Sequence, residues 1–230
     1  MIFRFLAWRL GFEWANLKRC CGHGPQRVRY LGFGANLADT ILGERRITPL
    51  DAAAFTLQDH GLRFDHPSAW EHCSYASAEP APGEKLHGTL YTLSGRDAAR
   101  MDFYESVPVL RRYRRTWVEQ DGTRLYYYQT NRSTPGLLPT DEYLGYITAG
   151  LAAHPGVDDD YRHWINHHPT AIPGRLVTSF PAPHRPGRSR IADAYRRITL
   201  KLYIDVIRRV SLTEWMIRKP DSIINGQADS

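Results

Sequence analysis

Tyr30-Leu31-Gly32-Phe33-Gly34-Ala35-Asn36-Leu37 carries an aromatic, apolar run into a Gly-Ala-Asn turn, and a second segment begins at once. The run reads as a buried strand, because apolar residues at successive positions load both faces. At the turn, Gly34 accommodates a positive φ or a close backbone approach. Asn36 is suited to bonding its own backbone and capping the next segment. Such a turn presents main-chain N–H groups that can hold a carboxylate or a polarised carbonyl. Taken alone, the same eight residues also describe an ordinary strand end.

Working outward, strand-like pieces lie at Val28–Phe33, Ala53–Leu57, Leu62–Phe64 and Gly88–Leu93. Tyr113–Glu119 and Leu125–Gln129 flank Asp121-Gly122, which predicts a tight β-hairpin. Helices interrupt these strands. Ser94 with Asp97 three residues on gives a capping box for a helix through Tyr104, with Leu93 and Ala98 as a hydrophobic staple. Thr140 caps a second helix with Asp141 and Glu142 in its first turn, and His154-Pro155-Gly156 ends it. A third starts at Asp158–Asp160 and runs to His167. Strands and helices mix without a strict βαβ rhythm. The expected class is therefore α+β, a small and mostly antiparallel sheet or barrel with flanking helices.

Residues 1–27 read as an N-terminal extension ending in Cys-Gly-His-Gly-Pro, residues 28–180 as the main domain, and residues 181–230 as a linker and then a basic amphipathic helix. That helix carries apolar residues at Ile191, Tyr195, Ile198, Leu202, Val206, Val210 and Trp215 with Arg and Lys between them. It packs on its own domain, binds a partner, or makes peripheral contact with an anionic membrane; the residues alone leave these open.

With 230 residues, 42% of them hydrophobic, the chain can bury a sizeable core. No run of about 18 apolar residues exists to span a bilayer. The net charge of +6 gathers in Arg111–Arg115 and in the tail from Arg185 to Lys219. No nucleic-acid motif accompanies it, so a solvated basic face is expected rather than a nucleic-acid partner. Three cysteines, two of them adjacent, form neither a disulfide framework nor a CxxC zinc site, which suits a reducing, cytoplasmic setting. Met1–Leu10 lacks a clean apolar core with a cleavage site after it, so no signal peptide is expected.

Among chemistry-bearing residues, Glu105 stands at the end of the capped helix, among Met101, Phe103, Tyr104 and Val107. A carboxyl in so apolar a setting suits general acid–base work, and a solvated helix-end glutamate is its plain alternative. Asp102, nearby, is expected exposed or paired with an arginine. His163 and His167 share a helix face with His168 beyond, yet no third metal ligand is evident, so no metal is assigned. Arg111, Arg112, Arg114 and Arg115 flank Tyr113, and one of them could meet a substrate carboxylate bidentately. Cys73, Ser74 and Ser77 form no nucleophile elbow, and no Walker loop or GxGxxG is present.

In order along the chain, several segments resemble the γ-glutamylcyclotransferase-like family. Tyr30–Leu37 is similar to the family's aromatic-Gly-Ser-Asn loop, and Gly83-Glu84-Lys85-Leu86-His87-Gly88-Thr89-Leu90-Tyr91 to its Gly-Asp/Glu-x-Val-x-Gly-x-Leu-Tyr strand. Met101-Asp102-Phe103-Tyr104-Glu105 resembles its Leu-Asp-x-Tyr-Glu-Gly helix end. Tyr113-Arg114-Arg115 resembles the family's next strand, and Tyr143–Ala152 with Asp160-Tyr161 a later helical segment. The likeness covers about residues 28–170. Phe33, Ala35 and Ser106 depart from the commonest Tyr, Ser and Gly, so a loop hydroxyl is missing. The resemblance implies cofactor-free cyclisation of a small γ-glutamyl substrate to 5-oxoproline, releasing an amine or amino acid. It assigns Glu105 as acid and base, the loop Gly34, Ala35, Asn36 and Leu37 as substrate-binding, Tyr30 or Phe33 as pocket wall, and Tyr113 as a substrate-orienting hydroxyl. A non-catalytic ligand-binding or regulatory module on the same fold is the alternative.

Overall fold

In the computed structural model, β1 (Arg27–Gly32) is the middle strand of a five-stranded sheet. The structure describes residues 27–45, 47–68, 73–105, 107, 112–152 and 154–171, together with Leu10 and Trp14. The expectations for the N-terminal extension, the linker and the C-terminal helix lie outside these residues. The chain divides into two compact units, Pro25–Ser179 and one made of Met1–Gly24 with Phe180–Ser230. Every strand and helix named below belongs to the first.

After β1 come a 3-10 turn (Ala35–Leu37), α1 (Asp39–Glu44), β2 (Asp51–Pro67), β3 (Ser74–Ser94), α2 (Gly95–Tyr104), β4 (Tyr113–Gln120), β5 (Thr123–Thr130), α3 (Asp141–Leu151) and α4 (Asp159–Asn166). The strand order is β2-β3-β1-β5-β4. Three pairings are antiparallel, and β1 pairs with β5 in parallel at Tyr30–Tyr126. The sheet is open, so of the two expected forms the sheet holds and the closed barrel does not. Where a barrel would run a ladder between β2 and β4, one side chain makes the link. Gln120 accepts from the Gln58 N–H at 2.7 Å and donates to the Thr56 carbonyl at 3.0 Å.

Local chemistry explains the elements. Asp121 (φ 52°) and Gly122 (φ 70°) make the left-handed two-residue turn that joins β4 to β5. The Ser94 hydroxyl accepts from the Asp97 N–H at 3.0 Å at the start of α2. Thr140 and Asp158 accept from Tyr143 and Tyr161 to cap α3 and α4. The two strand pieces expected at Ala53–Leu57 and Leu62–Phe64 are one strand. A register shift between Gln58 and His60 takes up Asp59 in the left-handed region (φ 55°), and its carboxylate accepts from the Gly83 N–H at 2.8 Å. β3 starts well before the expected Gly88 and carries Pro80 and Pro82 within the long hairpin it makes with β2.

Two cores explain the unbroken apolar run of β1. Leu31 and Phe33 join Leu125, Tyr127, Ile147 and Ile165 on the face covered by α3 and α4. Tyr30 joins Tyr91, Met101, Tyr126 and Tyr128 on the face covered by α1 and α2. Successive residues of β1 and β5 thus serve opposite faces, and both faces are dry.

Candidate functional site

β1 ends against the C-terminus of α2, and this places Asn36 beside Glu105. The last turn of α2 is held by the Glu105 N–H to the Met101 carbonyl and the Val107 N–H to the Asp102 carbonyl, both at 2.9 Å. Asn36 Nδ2 lies 2.8 Å from Tyr30 Oη and 3.1 Å from Glu105 Oε1. Arg45 closes the group. Its Nη1 donates to Glu105 Oε1 and to Asn36 Oδ1, each at 2.7 Å. Both contacts of the Glu105 carboxylate fall on Oε1, and Oε2 accepts from none of the described residues. The Glu105 side chain is 13% exposed and that of Arg45 21%, so the pair is mostly but not wholly out of water.

Burial works against the Arg45 charge, yet the Glu105 carboxylate and its hydrogen bond outweigh it, and Arg45 is held above the usual arginine value. Burial, reinforced by the nearby Glu105 charge, pushes the Tyr30 phenol well up, so it stays neutral. Arg45 also has its guanidinium carbon 5.1 Å from the centre of the Tyr104 ring and its Nη1 3.5 Å from Met101 Sδ. The setting of Glu105 is therefore an ion pair with an amide and a sulfur nearby, more polar than the apolar wall expected from its sequence neighbours.

At the turn, the second of the two expectations for Gly34 holds and the capping expected of Asn36 does not. Gly34 has φ −111°, so its value lies in close approach: a Cβ there would stand 2.8 Å from Tyr143 Oη and 3.2 Å from the Ala76 Cβ. Asn36 caps nothing; its side chain is committed to Tyr30, Glu105 and Arg45. The Tyr143 hydroxyl accepts from the Ala76 N–H at 3.0 Å. The main-chain N–H groups of Gly34 and Asn36 donate to none of the described residues.

Phe33 and Leu37 turn away from Glu105 into the α3–α4 core, where Phe33 meets the edge of Tyr127, so they support the turn from below. Tyr113 lies near the site, but its hydroxyl donates to the Ala76 carbonyl at 3.1 Å. Burial dominates the upward shift of its phenol, with Tyr143 and Glu105 adding to it. Asp102 is paired with Arg115 at 2.7 Å, one of the two expected outcomes, and is buried rather than exposed. His163 and His167 stack at 4.0 Å, and no group of three metal-ligating side chains occurs among the described residues. No helix among the described residues is long and apolar enough to cross a membrane. A cleft of about 380 Å³ lies elsewhere, bordered by Arg63, Glu84, Lys85, Tyr161 and Trp164, and none of the clustered residues lines it.

Nothing in the sequence marks Arg45 or Tyr143 as a site residue. Tyr143 reads simply as one apolar position of a helix. Arg45 comes nine residues after Asn36, and only the 3-10 turn plus α1 folds it back onto the same side chain. The one local signal is an arginine closing a short segment after the Asn turn.

Two measurements probe this geometry. Gly34→Ala is expected to destabilise by about 1–3 kcal/mol, because the new methyl presses on the Tyr143 hydroxyl. In urea unfolding, Gly34→Ala should cost less in a Tyr143→Phe background, and strict additivity would show that the clash is relieved elsewhere. The second concerns His66, which stacks on Tyr113 at 4.0 Å. The Thr130 hydroxyl gives its proton to the Arg132 carbonyl at 2.9 Å, so His66 Nδ1 is the donor to Thr130 and Nε2 is a bare, buried lone pair. Burial, aided by the Arg112 charge, pushes His66 down to about 3 from an ordinary 6.5. Between those values the unfolded chain binds one proton more than the folded chain. Stability should therefore fall as the pH drops below about 6.5, by up to about 1.4 kcal/mol per unit. His66→Gln should remove that slope; equal slopes in both proteins would assign it to other groups.

No family model matches the chain, and no curated protein does. Solved structures do. A structure named gamma-glutamyl cyclotransferase is 20% identical, with a TM-score of 0.53, over 66% of this chain and 95% of its own. An uncharacterized protein from Homo sapiens is 20% identical, with a TM-score of 0.54, over 67% and 96%. YkqA from Bacillus subtilis is 16% identical, with a TM-score of 0.54, over 68% of this chain and 60% of its own. The open mixed sheet with its helices on both faces is thus shared with proteins of that kind, and the chain has the γ-glutamyl cyclotransferase-like fold.

Proposed function

We propose that the protein cyclises a γ-glutamyl amine or amino acid to 5-oxoproline and releases the free amine. The observation that carries this reading is the Glu105 carboxylate, anchored on Oε1 by Asn36 and Arg45 beside the Gly34–Asn36 turn, with Oε2 unengaged by the described residues. The reaction needs one group that takes a proton from the α-ammonium and returns one to the departing nitrogen. The amine nitrogen attacks the γ-carbonyl carbon, the new C–N bond forms, and the amide C–N bond breaks. Glu105 Oε2 receives the proton and hands it to the leaving amine. Fixing Oε1 costs the substrate nothing at the moment of reaction and keeps Oε2 in one direction.

Charge developing on the carbonyl oxygen needs donors. The Gly34 and Asn36 N–H groups supply them, and the Tyr143 hydroxyl, which accepts the Ala76 N–H, keeps its own proton to give. Tyr143 in this role stands where the absent serine hydroxyl at Ala35 would be missed. One of the neighbours that share the fold is named for this activity, which supports the reading.

The test is 5-oxoproline release by the purified full chain across γ-glutamyl amino acids, γ-glutamyl amines and a γ-glutamyl isopeptide, with and without a chelator. Chelator-insensitive release from at least one class supports the reading. Saturable binding across the panel without product would favour a ligand-binding module on the same fold.

A further inference from the structure

We propose that the cleft between the β2–β3 hairpin and α4 binds a free α-amino acid with a planar, polar-tipped side chain, at a site separate from Glu105. Its volume of about 380 Å³ falls within the range of small-ligand clefts. β2 supplies Leu62 and Arg63, and β3 supplies Glu84, Lys85 and His87. Asp158, Tyr161 and Trp164 come from the cap and body of α4, and their spacing of three sets them on one helix face. One cavity thus joins residues far apart in the chain, and none of the Glu105 cluster lines it.

Two buried polar atoms in the lining lack a partner among the described residues. His87 is 1% exposed; its Nδ1 lies 2.9 Å from the Thr56 hydroxyl, and its Nε2 meets no hydrogen-bonding group. The Tyr161 ring meets the His87 ring edge-on at 4.6 Å, and the Tyr161 hydroxyl is equally bare. Burial, with His154 adding to it, holds His87 below its ordinary value, so the imidazole is neutral and Nε2 is a single donor or a single acceptor. A hydroxyl on the ligand both gives and takes a hydrogen bond, and so answers the two atoms together. The rim decides the rest of the ligand. Arg63 and Glu84 satisfy each other through two hydrogen bonds at 2.8 and 2.7 Å. Lys85 and Asp158 are not so committed: among the described residues Lys85 has no carboxylate, and Asp158 no cation, within ion-pair distance. Asp158 caps α4 through Oδ1, which accepts from the Tyr161 N–H at 2.7 Å. An uncommitted cation and an uncommitted carboxylate on one cleft fit a zwitterion, its carboxylate on Lys85 and its ammonium on Asp158. Trp164, 40% exposed and braced by Tyr161 at 5.6 Å and Phe64 at 6.1 Å, offers ring surface to a planar side chain.

Calorimetric titration of the full chain with L-tyrosine is expected to show one site with a Kd on the order of 0.1–1 mM. L-Tyrosinamide lacks the carboxylate, N-acetyl-L-tyrosine the ammonium and L-phenylalanine the hydroxyl, and each should bind about 5- to 20-fold more weakly. Lys85→Ala should erase the preference for tyrosine over tyrosinamide. Asp158→Asn, which keeps a helix cap, should erase the preference over N-acetyltyrosine. Trp164→Ala should weaken all four ligands. Urea midpoints close to that of the wild type would show that these three variants, all at exposed positions, remain folded. Glu105→Gln should leave tyrosine binding within about twofold, so the outcome is independent of 5-oxoproline release. Equal affinities for tyrosine, tyrosinamide and N-acetyltyrosine would overturn the zwitterion, and an equal affinity for phenylalanine the polar tip. Absence of tyrosine binding, or binding that survives Lys85→Ala and Trp164→Ala, would overturn the cleft as an amino-acid site while leaving the cyclisation standing.

Discussion

Glu105→Gln is expected to lower 5-oxoproline release by about 10²- to 10⁴-fold, the usual contribution of a positioned acid–base group, with little change in the unfolding transition. The substitution is nearly isosteric. The amide oxygen still accepts from Asn36 Nδ2 and Arg45 Nη1, so the turn, α1 and the end of α2 stay joined. The loss is of an atom that takes and returns a proton. Arg45 loses its counter-charge, but its side chain is 21% exposed and water can reach it, so the stability cost should stay near about 1 kcal/mol. Turnover and urea midpoint should be measured on the same preparation. Full turnover in Glu105→Gln would remove the residue from the chemistry. Lost turnover with a collapsed midpoint would assign it to the fold instead.

The sequence is most legible where one residue settles the backbone. Asp121-Gly122 announces the β4–β5 hairpin because few other pairs tolerate two left-handed residues in succession. Ser94, Thr140 and Asp158 mark three helix starts because each supplies an acceptor to an N–H that would otherwise be orphaned. It is least legible where a contact is remote in sequence. The first half of β3 is hidden by Pro80, Pro82 and Gly83, which signal a break in isolation but are tolerated in the long hairpin with β2. The Glu105–Asn36 pairing can be anticipated from family order, but Arg45 cannot, since nothing local marks an arginine at the end of a six-residue helix as the partner of a glutamate on another helix. The side of the turn on which each residue faces is equally hidden. Phe33 and Leu37 look like pocket residues when written beside Gly34 and Asn36, yet the alternation of β1 and the bend at Gly34 direct them into the opposite core.

Asp102→Ala should cost about 3–5 kcal/mol, far more than any change at Glu105, although the two carboxylates leave the same helix three residues apart. The Asp102 side chain is 3% exposed, and its Oδ1 accepts from Arg115 Nε at 2.7 Å and from the Tyr128 hydroxyl at 2.8 Å. Arg115 is held further by the Ala98 carbonyl at 3.2 Å and lies over the Tyr126 ring, its guanidinium carbon 4.2 Å from the ring centre. Burial opposes the Arg115 charge, and the Asp102 carboxylate overrides it and keeps that arginine well above its ordinary value. Removing Asp102 therefore strands a cation in the core that joins α2 to β4 and β5. At about 2–4 °C per kcal/mol for a chain of this length, the thermal midpoint should fall by roughly 6–20 °C. The double variant Asp102→Leu with Arg115→Met should recover most of the loss, because neither charge is then left unpaired and the apolar pair fills the same space. A loss below about 1 kcal/mol for Asp102→Ala would mean that Arg115 swings out to water, and the double variant would then show no recovery. Recovery of stability with retained 5-oxoproline release would separate the two carboxylates of α2 by role: Asp102 fixes the helix to the sheet, and the helix so fixed holds Glu105 against Asn36 and Arg45.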